Sequence, residues 1–279
     1  MSTPKKIDKA MAFAKRYVYA VLCSLYLFTF GILKKRNRGF LSRISEHFSS
    51  HDDAVPVRVR GIIPEIKLRD LISGETLFRI REPLAGPGKP SAFEIMVINQ
   101  LIRQHSPAKL FEIGTFDGRT TLNMACNAPR EAKVYTMDLP TESQRANYWA
   151  QFPNHADRKW ESWDETLGAK YRGTDCEAKI VQLYGDSASF DFSPFINDID
   201  FVFVDGAHDY EYVISDSRIA LKLLRNGRGI ILWHNYDMAE FPGAVRAMDE
   251  CYSKIEGFEG LRHIEATTMI IRAISTTTC

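Results

Sequence analysis

The longest apolar run in the chain, Tyr17 to Leu33 (YVYAVLCSLYLFTFGIL), is interrupted only by Ser24 and Thr29. It follows neither the helical nor the strand alternation, so it predicts a helix that is apolar on all sides. Such a helix needs lipid or protein around it. Its length of about 25 Å is slightly short of a ~30 Å hydrocarbon core. Lys15-Arg16 precede it and Lys34-Lys35-Arg36-Asn37-Arg38 follow. Those side chains can snorkel to the interface and are attracted by anionic headgroups. No small-residue cleavage site follows, which argues against a removed signal peptide. The expectation is an N-terminal hydrophobic helix on an anionic membrane, spanning it or lying in its surface. Docking of the helix on protein is the alternative.

Further along, the pattern becomes that of an α/β domain. Ser91-x-x-Glu94 is a capping box, and the apolar run Phe93 to Ile102 behind it predicts a helix. Short apolar runs predict strands near 109–113, 133–137, 179–184, 199–204 and 229–233. Helical periodicity predicts helices near 119–127, 211–225 and 242–254. Strands alternating with helices build a mostly parallel sheet covered on both faces. Leu261 to Ala266 and Thr268 to Ile274 read as a closing hairpin. Between Asp138 and Lys179 lies a long polar insertion carrying Trp149, Trp160, Trp163 and Tyr171. Connections of that length are usually functional or partly helical. The divisions that follow are a basic, hydrophobic segment and linker over 1–50, a cover segment rich in Gly and Pro over 51–90, and the α/β domain over 91–279.

Charge sharpens this division. The 279 residues carry a net +1, but residues 1–38 alone carry +8, leaving −7 on the remainder. That distribution argues against a nucleic-acid surface. The five cysteines, at 23, 126, 176, 251 and 279, are odd in number, scattered and without a C-x-x-C pair. They predict neither a disulfide framework nor a zinc site, and a reducing compartment is the simplest setting. Cys126 and Cys251 are expected in the core.

The candidate chemistry lies at the carboxyl ends of the strands, where open parallel sheets bind ligands. Residues 110–138 read strand, glycine turn, helix, strand, with Asp138 closing the second strand. Gly114 and Gly118 bracket the turn. Glycines let backbone approach a ligand, a helix N-terminus offers free N–H groups, and an acid about 20 residues on can bind ribose hydroxyls. The three-glycine dinucleotide fingerprint is absent, and Asp117 in the turn would repel a pyrophosphate. Both points favour a ligand with a ribose but no pyrophosphate. Glu112, Asp138, Asp186, Asp205, His208, His234 and Asn235 all fall at or just after strand ends.

Glu112-Ile-Gly114-Thr-Phe-Asp-Gly118 resembles the first motif of class I S-adenosylmethionine-dependent methyltransferases. Tyr184-Gly185-Asp186-Ser187, Phe201-Val-Phe-Val-Asp205-Gly-Ala-His208 and Gly229-Ile-Ile-Leu-Trp-His234-Asn235 resemble its later motifs, in order. The resemblance covers roughly 90–274 and is closest to the branch of sugar and antibiotic-tailoring O-methyltransferases. It implies a Rossmann-like sheet, mostly parallel, with a C-terminal antiparallel hairpin. It implies S-adenosylmethionine as donor, with Asp138 on the ribose and Asp186, followed by Ser187, on the adenine. Gly114 and Gly118 then shape the turn, and Glu112 orders it or the donor's ammonium group. Asp205 and His208 become the catalytic pair, with His208 taking the acceptor's proton, a task suited to a side chain titrating near neutrality. It also implies a divalent metal, magnesium or manganese, on Asp205, His234 and Asn235. His234 departs from the carboxylate usual there, and nitrogen suits manganese, iron or zinc better than magnesium. The implied acceptor is a small molecule or glycan. Because the donor is cytosolic, the domain is expected on the cytoplasmic face of the membrane. An NAD(P)-dependent oxidoreductase and a non-catalytic binding module are the competing readings. The missing third glycine counts against the first, and Asn235 keeps the second open.

Overall fold

The computed structural model describes residues 18, 19, 26, 61–84, 89–139 and 167–274. The chain divides into two compact units, Met1–Val57 and Arg58–Cys279. In the first, Val18, Tyr19 and Tyr26 are helical with exposed side chains. The rest of the expected helix over 17–33, the linker behind it and the tryptophans of the 140–166 segment lie outside the described residues. Among the described residues no helix is long and apolar enough to cross a membrane.

The second unit is built on an eight-stranded sheet. Its strands are β1 (Glu65–Ile66), β2 (Lys109–Ile113), β3 (Lys133–Asp138), β4 (Ile180–Tyr184), β5 (Phe201–Val204), β6 (Gly229–Trp233), β7 (Arg262–Ile264) and β8 (Ile270–Ile274). They lie in the order β1-β7-β8-β6-β5-β2-β3-β4. The five strands expected from the apolar runs form one parallel block, β6 to β4. β8 joins it antiparallel to β6, and β7 pairs antiparallel with β8 as the closing hairpin. β1 adds a two-residue parallel edge beside β7. Two residues are too few to carry a periodic signal, which is why β1 is not foreseen.

Side chains alternate across the sheet, so one apolar run serves two cores. Phe111, Ile113, Val202, Val204, Ile231 and Trp233 face one way, into a core with the helices over Tyr210–Leu223 and Pro242–Lys254. Leu110, Phe201, Phe203, Ile230 and Leu232 face the other way, towards the helices over Ala92–His105 and Arg119–Asn127. In chain order these helices, with the short Leu68–Leu71 turn as α1, are α2 (92–105), α3 (119–127), α4 (210–223) and α5 (242–254). The capping box is present at α2: Ser91 Oγ accepts from the Glu94 N–H, and Glu94 Oε2 accepts from the Ser91 N–H.

The expectation of unpaired cysteines is corrected. Cys126, at the end of α3, is bonded to Cys176, with their Cα atoms 5.5 Å apart. The partners stand 50 residues apart in sequence. Their approach is set by packing of α3 against the 3₁₀ turn before β4, which cysteine spacing cannot reveal. Cys251 is buried and free, as expected of a core cysteine.

Cover residues 77–84 have no regular structure, and side chains satisfy their backbone. Arg79 N–H donates to Asn127 Oδ1 and its carbonyl accepts from Asn127 Nδ2 and Asn99 Nδ2. Two residues on, Arg81 N–H and carbonyl make the same pair of bonds with Asn123. Asn123 and Asn127 stand one helical turn apart on α3, so their amides imitate a neighbouring strand. The buried Arg119 guanidinium completes the clamp, donating to the carbonyls of Glu82, Pro83 and Pro90.

Candidate active site

A cavity of about 770 Å³ opens at the carboxyl ends of β2, β3, β5 and the turn after β4. Its floor is the glycine turn. Gly114 has φ 100°, and a Cβ there would stand 2.1 Å from the Asp205 carbonyl, so only glycine lets the β2 and β5 loops meet. Gly118 has φ 78° and caps α3, and a Cβ there would strike Tyr171. Gly114 lines the cavity. Gly118 acts from behind, through the turn.

Asp138 lines the cavity from the end of β3. Its carboxylate accepts from the N–H of Phe116 at 2.8 Å and of Leu139 at 2.7 Å, which fixes it against the turn. Asp186 and Ser187 line the side beyond β4. Asp186 accepts from the Ala188 N–H and from the Tyr212 hydroxyl, each at 2.9 Å. Asp117 is paired with Lys89 at 2.6 Å, and the same ammonium lies over the Phe116 ring. The cover segment thus delivers a cation to the acidic turn.

Of the two roles the resemblance implies for Glu112, its placement fits ordering the turn. It is fully buried and does not line the cavity. One of its oxygens accepts from Thr121 and, at 2.6 Å, from Thr136, which in turn meets the Thr115 hydroxyl at 2.7 Å. It therefore orders the turn from beneath. Burial, the largest cause, pushes its carboxyl up to about 8, against the pull of the two threonines.

Asp205 and His208 line the opposite wall. His208 stacks on Phe241, with ring centroids 4.1 Å apart. Its Nε2 lies 2.8 Å from Asn235 Oδ1 and 3.7 Å from Asp205 Oδ1. The Asn235 amide nitrogen is directed at the Met238 sulfur, so its oxygen faces the histidine. Nε2 then carries the hydrogen, and Nδ1 is the ring's accepting nitrogen.

His234 and Asn235 sit lower. They are buried and do not line the cavity. His234 Nδ1 stands 3.1 Å from Asp205 Oδ1, and its Nε2 stands 3.5 Å from Glu94 Oε2. Burial opposes charge on this ring, but Asp205 and then Glu94 outweigh it and raise the imidazole to about 10. The neighbouring charge likewise holds Asp205 and Glu94 low despite their burial. Glu94 was legible in the sequence only as a helix cap. Its second role shows no pattern because His234 lies 140 residues away.

These donors fit a divalent metal poorly. Two of the three expected ligands are closed off from the cavity, so a bound ion could not present open positions to an acceptor. Asn235 Oδ1 is directed at His208, and both His234 nitrogens face carboxylates. Among the described residues, the group of His, Cys, Asp or Glu whose ligand atoms crowd within 4.8 Å is Cys126, Asp175 and Cys176, two of which are disulfide-bonded.

Residues 111–236 match the family model described as a methyltransferase domain. No curated protein sequence matches the chain. Among solved structures, the O-methyltransferase TomG of Streptomyces achromogenes, involved in tomaymycin synthesis and solved with S-adenosylmethionine, is 16% identical. It aligns over 67% of this chain and 82% of its own, with a TM-score of 0.47. The methyltransferase PaMTH1 of Podospora anserina, bound to S-adenosylhomocysteine, gives 16%, 67%, 81% and 0.45 for the same quantities. The O-methyltransferase of Bacillus cereus, also with S-adenosylhomocysteine, gives 15%, 69%, 83% and 0.42. The matched segment runs from β2 past β6 and includes the glycine turn, the cavity floor and both histidines. Within these residues, 126 of the chain's 279, the sequence is similar to a methyltransferase domain, and the sheet that carries them has a Rossmann-like order of mostly parallel strands.

Proposed function

We propose that the protein is an S-adenosylmethionine-dependent O-methyltransferase acting on a hydroxyl of a sugar, glycan-linked or secondary-metabolite acceptor. The observation that carries this reading is His208. It stands on the cavity wall across from Asp138 and Asp186, with one ring nitrogen tied to Asn235 and the other left to accept a proton. In this reading Asp138 accepts from the donor's ribose hydroxyls, Asp186 and Ser187 border the adenine, and Gly114 leaves room for the methionine portion.

The donor supplies an electrophilic methyl group on a sulfonium. The acceptor oxygen forms the new C–O bond as the C–S bond breaks, and the sulfur keeps that electron pair as a neutral thioether. His208 Nδ1 takes the hydroxyl proton, and the positive charge passes from sulfonium to imidazolium. Asp205, 3.7 Å from the same ring, stabilises that charge as it forms. Phe241 holds the ring's plane.

Calorimetry with S-adenosylmethionine tests the pocket. A carboxylate accepting ribose hydrogen bonds contributes roughly 1.5–3 kcal/mol per charged bond. Asp138→Ala is therefore expected to weaken donor binding at least about tenfold. Equal affinity in both proteins removes the assignment. Binding of NADH without binding of the donor gives the site to an oxidoreductase.

For the N-terminal segment we propose membrane attachment with the domain facing the cytoplasm. Support comes from the apolar run 17–33, its basic flanks and the cytosolic source of the donor.

A further inference from the structure

We propose that Glu94 and His234 are positioning residues for methyl transfer, and that the His234 imidazolium serves as a built-in cation where a divalent metal would otherwise hold Asp205. The inference rests on the O-methyl-transfer reading above and identifies what orients its catalytic wall.

The ring of His234 is only 4% exposed and bridges two acids from distant parts of the chain. Asp205 Oδ1 is 3.1 Å from Nδ1, and Glu94 Oε2 is 3.5 Å from Nε2. A carboxylate only accepts, so the hydrogen bond at Nδ1 and the ion-pair contact at Nε2 are both satisfied by a ring with a hydrogen on each nitrogen. A ring with both hydrogens is a cation, and two buried carboxylates without one would repel each other. Glu94 is itself held rigidly. It accepts from the Ser91 N–H in the cap of α2, and its Oε1 accepts from the N–H and hydroxyl of Thr268 just before β8, at 2.7 and 2.8 Å. The cap, the hairpin and the end of β6 thus meet on one carboxylate. Through His234 they fix Asp205, whose Oδ1 also faces His208. The imidazolium therefore does from beneath the floor what a metal does from within a cavity. It neutralises Asp205 and sets its direction, and it takes up no space beside the acceptor.

Three measurements on the full-length protein test this. Nitrogen-15 spectra of the imidazoles at neutral pH should show His234 with both ring nitrogens protonated; one bare nitrogen overturns the proposal. Manganese(II) chloride titrated into the donor-loaded protein, followed by electron paramagnetic resonance, should reveal no site that depends on Asp205. A tight site lost in both Asp205→Asn and His234→Gln overturns it. The nitrogen-15 measurement uses the wild type alone, so it stands even if a variant fails to fold. Glu94→Gln should lower kcat about tenfold with donor affinity and acceptor KM little changed, and Glu94→Asp should recover part of the loss. A parallel fall in donor affinity and melting temperature without a selective loss of kcat would make Glu94 merely structural. Failure of the wild type to bind donor would sink the methyltransferase reading instead, while the nitrogen-15 measurement would still report on the cation.

Discussion

At the scale of single residues, the site sets groups of raised and lowered proton affinity side by side, and this gives the domain a definite pH response. Burial lifts Glu112 from its ordinary 4.5 to about 8 and Asp216 from 3.8 to about 7. In each case the folded state holds a proton that the unfolded chain releases. The stabilisation is complete below the unfolded value and is lost as pH rises through the folded one. His234, raised from 6.5 to about 10, has the same sign over a higher window. Glu94 and Asp205 are lowered, so their contribution is lost only in acid. Thermal melts should therefore show stability declining from about pH 4 to pH 10. Glu112→Gln keeps the shape without the ionisation and should flatten the lower part of that decline, up to about pH 8. Identical slopes in wild type and variant would remove Glu112 as the cause. His208 is judged by rate: His208→Ala should cost about 10²–10⁴-fold in turnover with donor affinity nearly unchanged. Near-normal turnover would withdraw it as the base. The acids and histidines of this wall were legible because strand ends can be read from apolar runs. Which of them reach the cavity was not. Glu112 and His234 differ from Asp138 and His208 only in the depth at which the fold places them.

At the scale of elements, the strands and helices of the α/β unit follow from periodicity, but the attachment of the cover segment does not. A sequence reading takes Asn123 and Asn127 for polar positions on a helix. They are buried, and they stand in for a neighbouring strand along Arg79 and Arg81. Arg119 resembles an exposed charge at a helix start, yet its guanidinium is spent on three carbonyls. Such side chains are invisible to a pattern that scores polarity alone, because their partners have no regular structure. Truncating one leaves buried backbone groups unpaired, at about 1–3 kcal/mol each. Asn123→Ala should accordingly lower the melting temperature and expose residues 77–90 to proteolysis. Arg119→Met should do the same and also weaken donor binding, since release of Pro90 lets Lys89 leave Asp117. An unchanged digestion pattern in both variants would mean that other contacts hold the cover.

At the scale of the whole molecule, two features make opposite demands. The apolar run with its basic flanks, and the donor the fold is proposed to use, favour a domain on the cytoplasmic face of a membrane. The Cys126–Cys176 bond favours an oxidising compartment. Both cysteines lie in the α/β unit, and the bond closes a loop that takes in β3, the 140–166 segment and the approach to β4. In the chain-entropy account a loop of that length contributes about 4 kcal/mol. Loss of the bond should therefore lower the melting temperature by several degrees. Native protein should be alkylated before lysis and mapped without reductant. On the cytoplasmic assignment, Cys126 and Cys176 should be recovered largely as thiols, pairing only on exposure to air, and the full-length protein should sediment with membranes. Removal of residues 1–38 should release a soluble domain that still binds donor. A quantitative 126–176 disulfide in the alkylated sample would withdraw the cytoplasmic placement. The domain would then meet its donor in an oxidising compartment, and the cysteine pair, which sequence spacing passed over, would be the feature that revealed it.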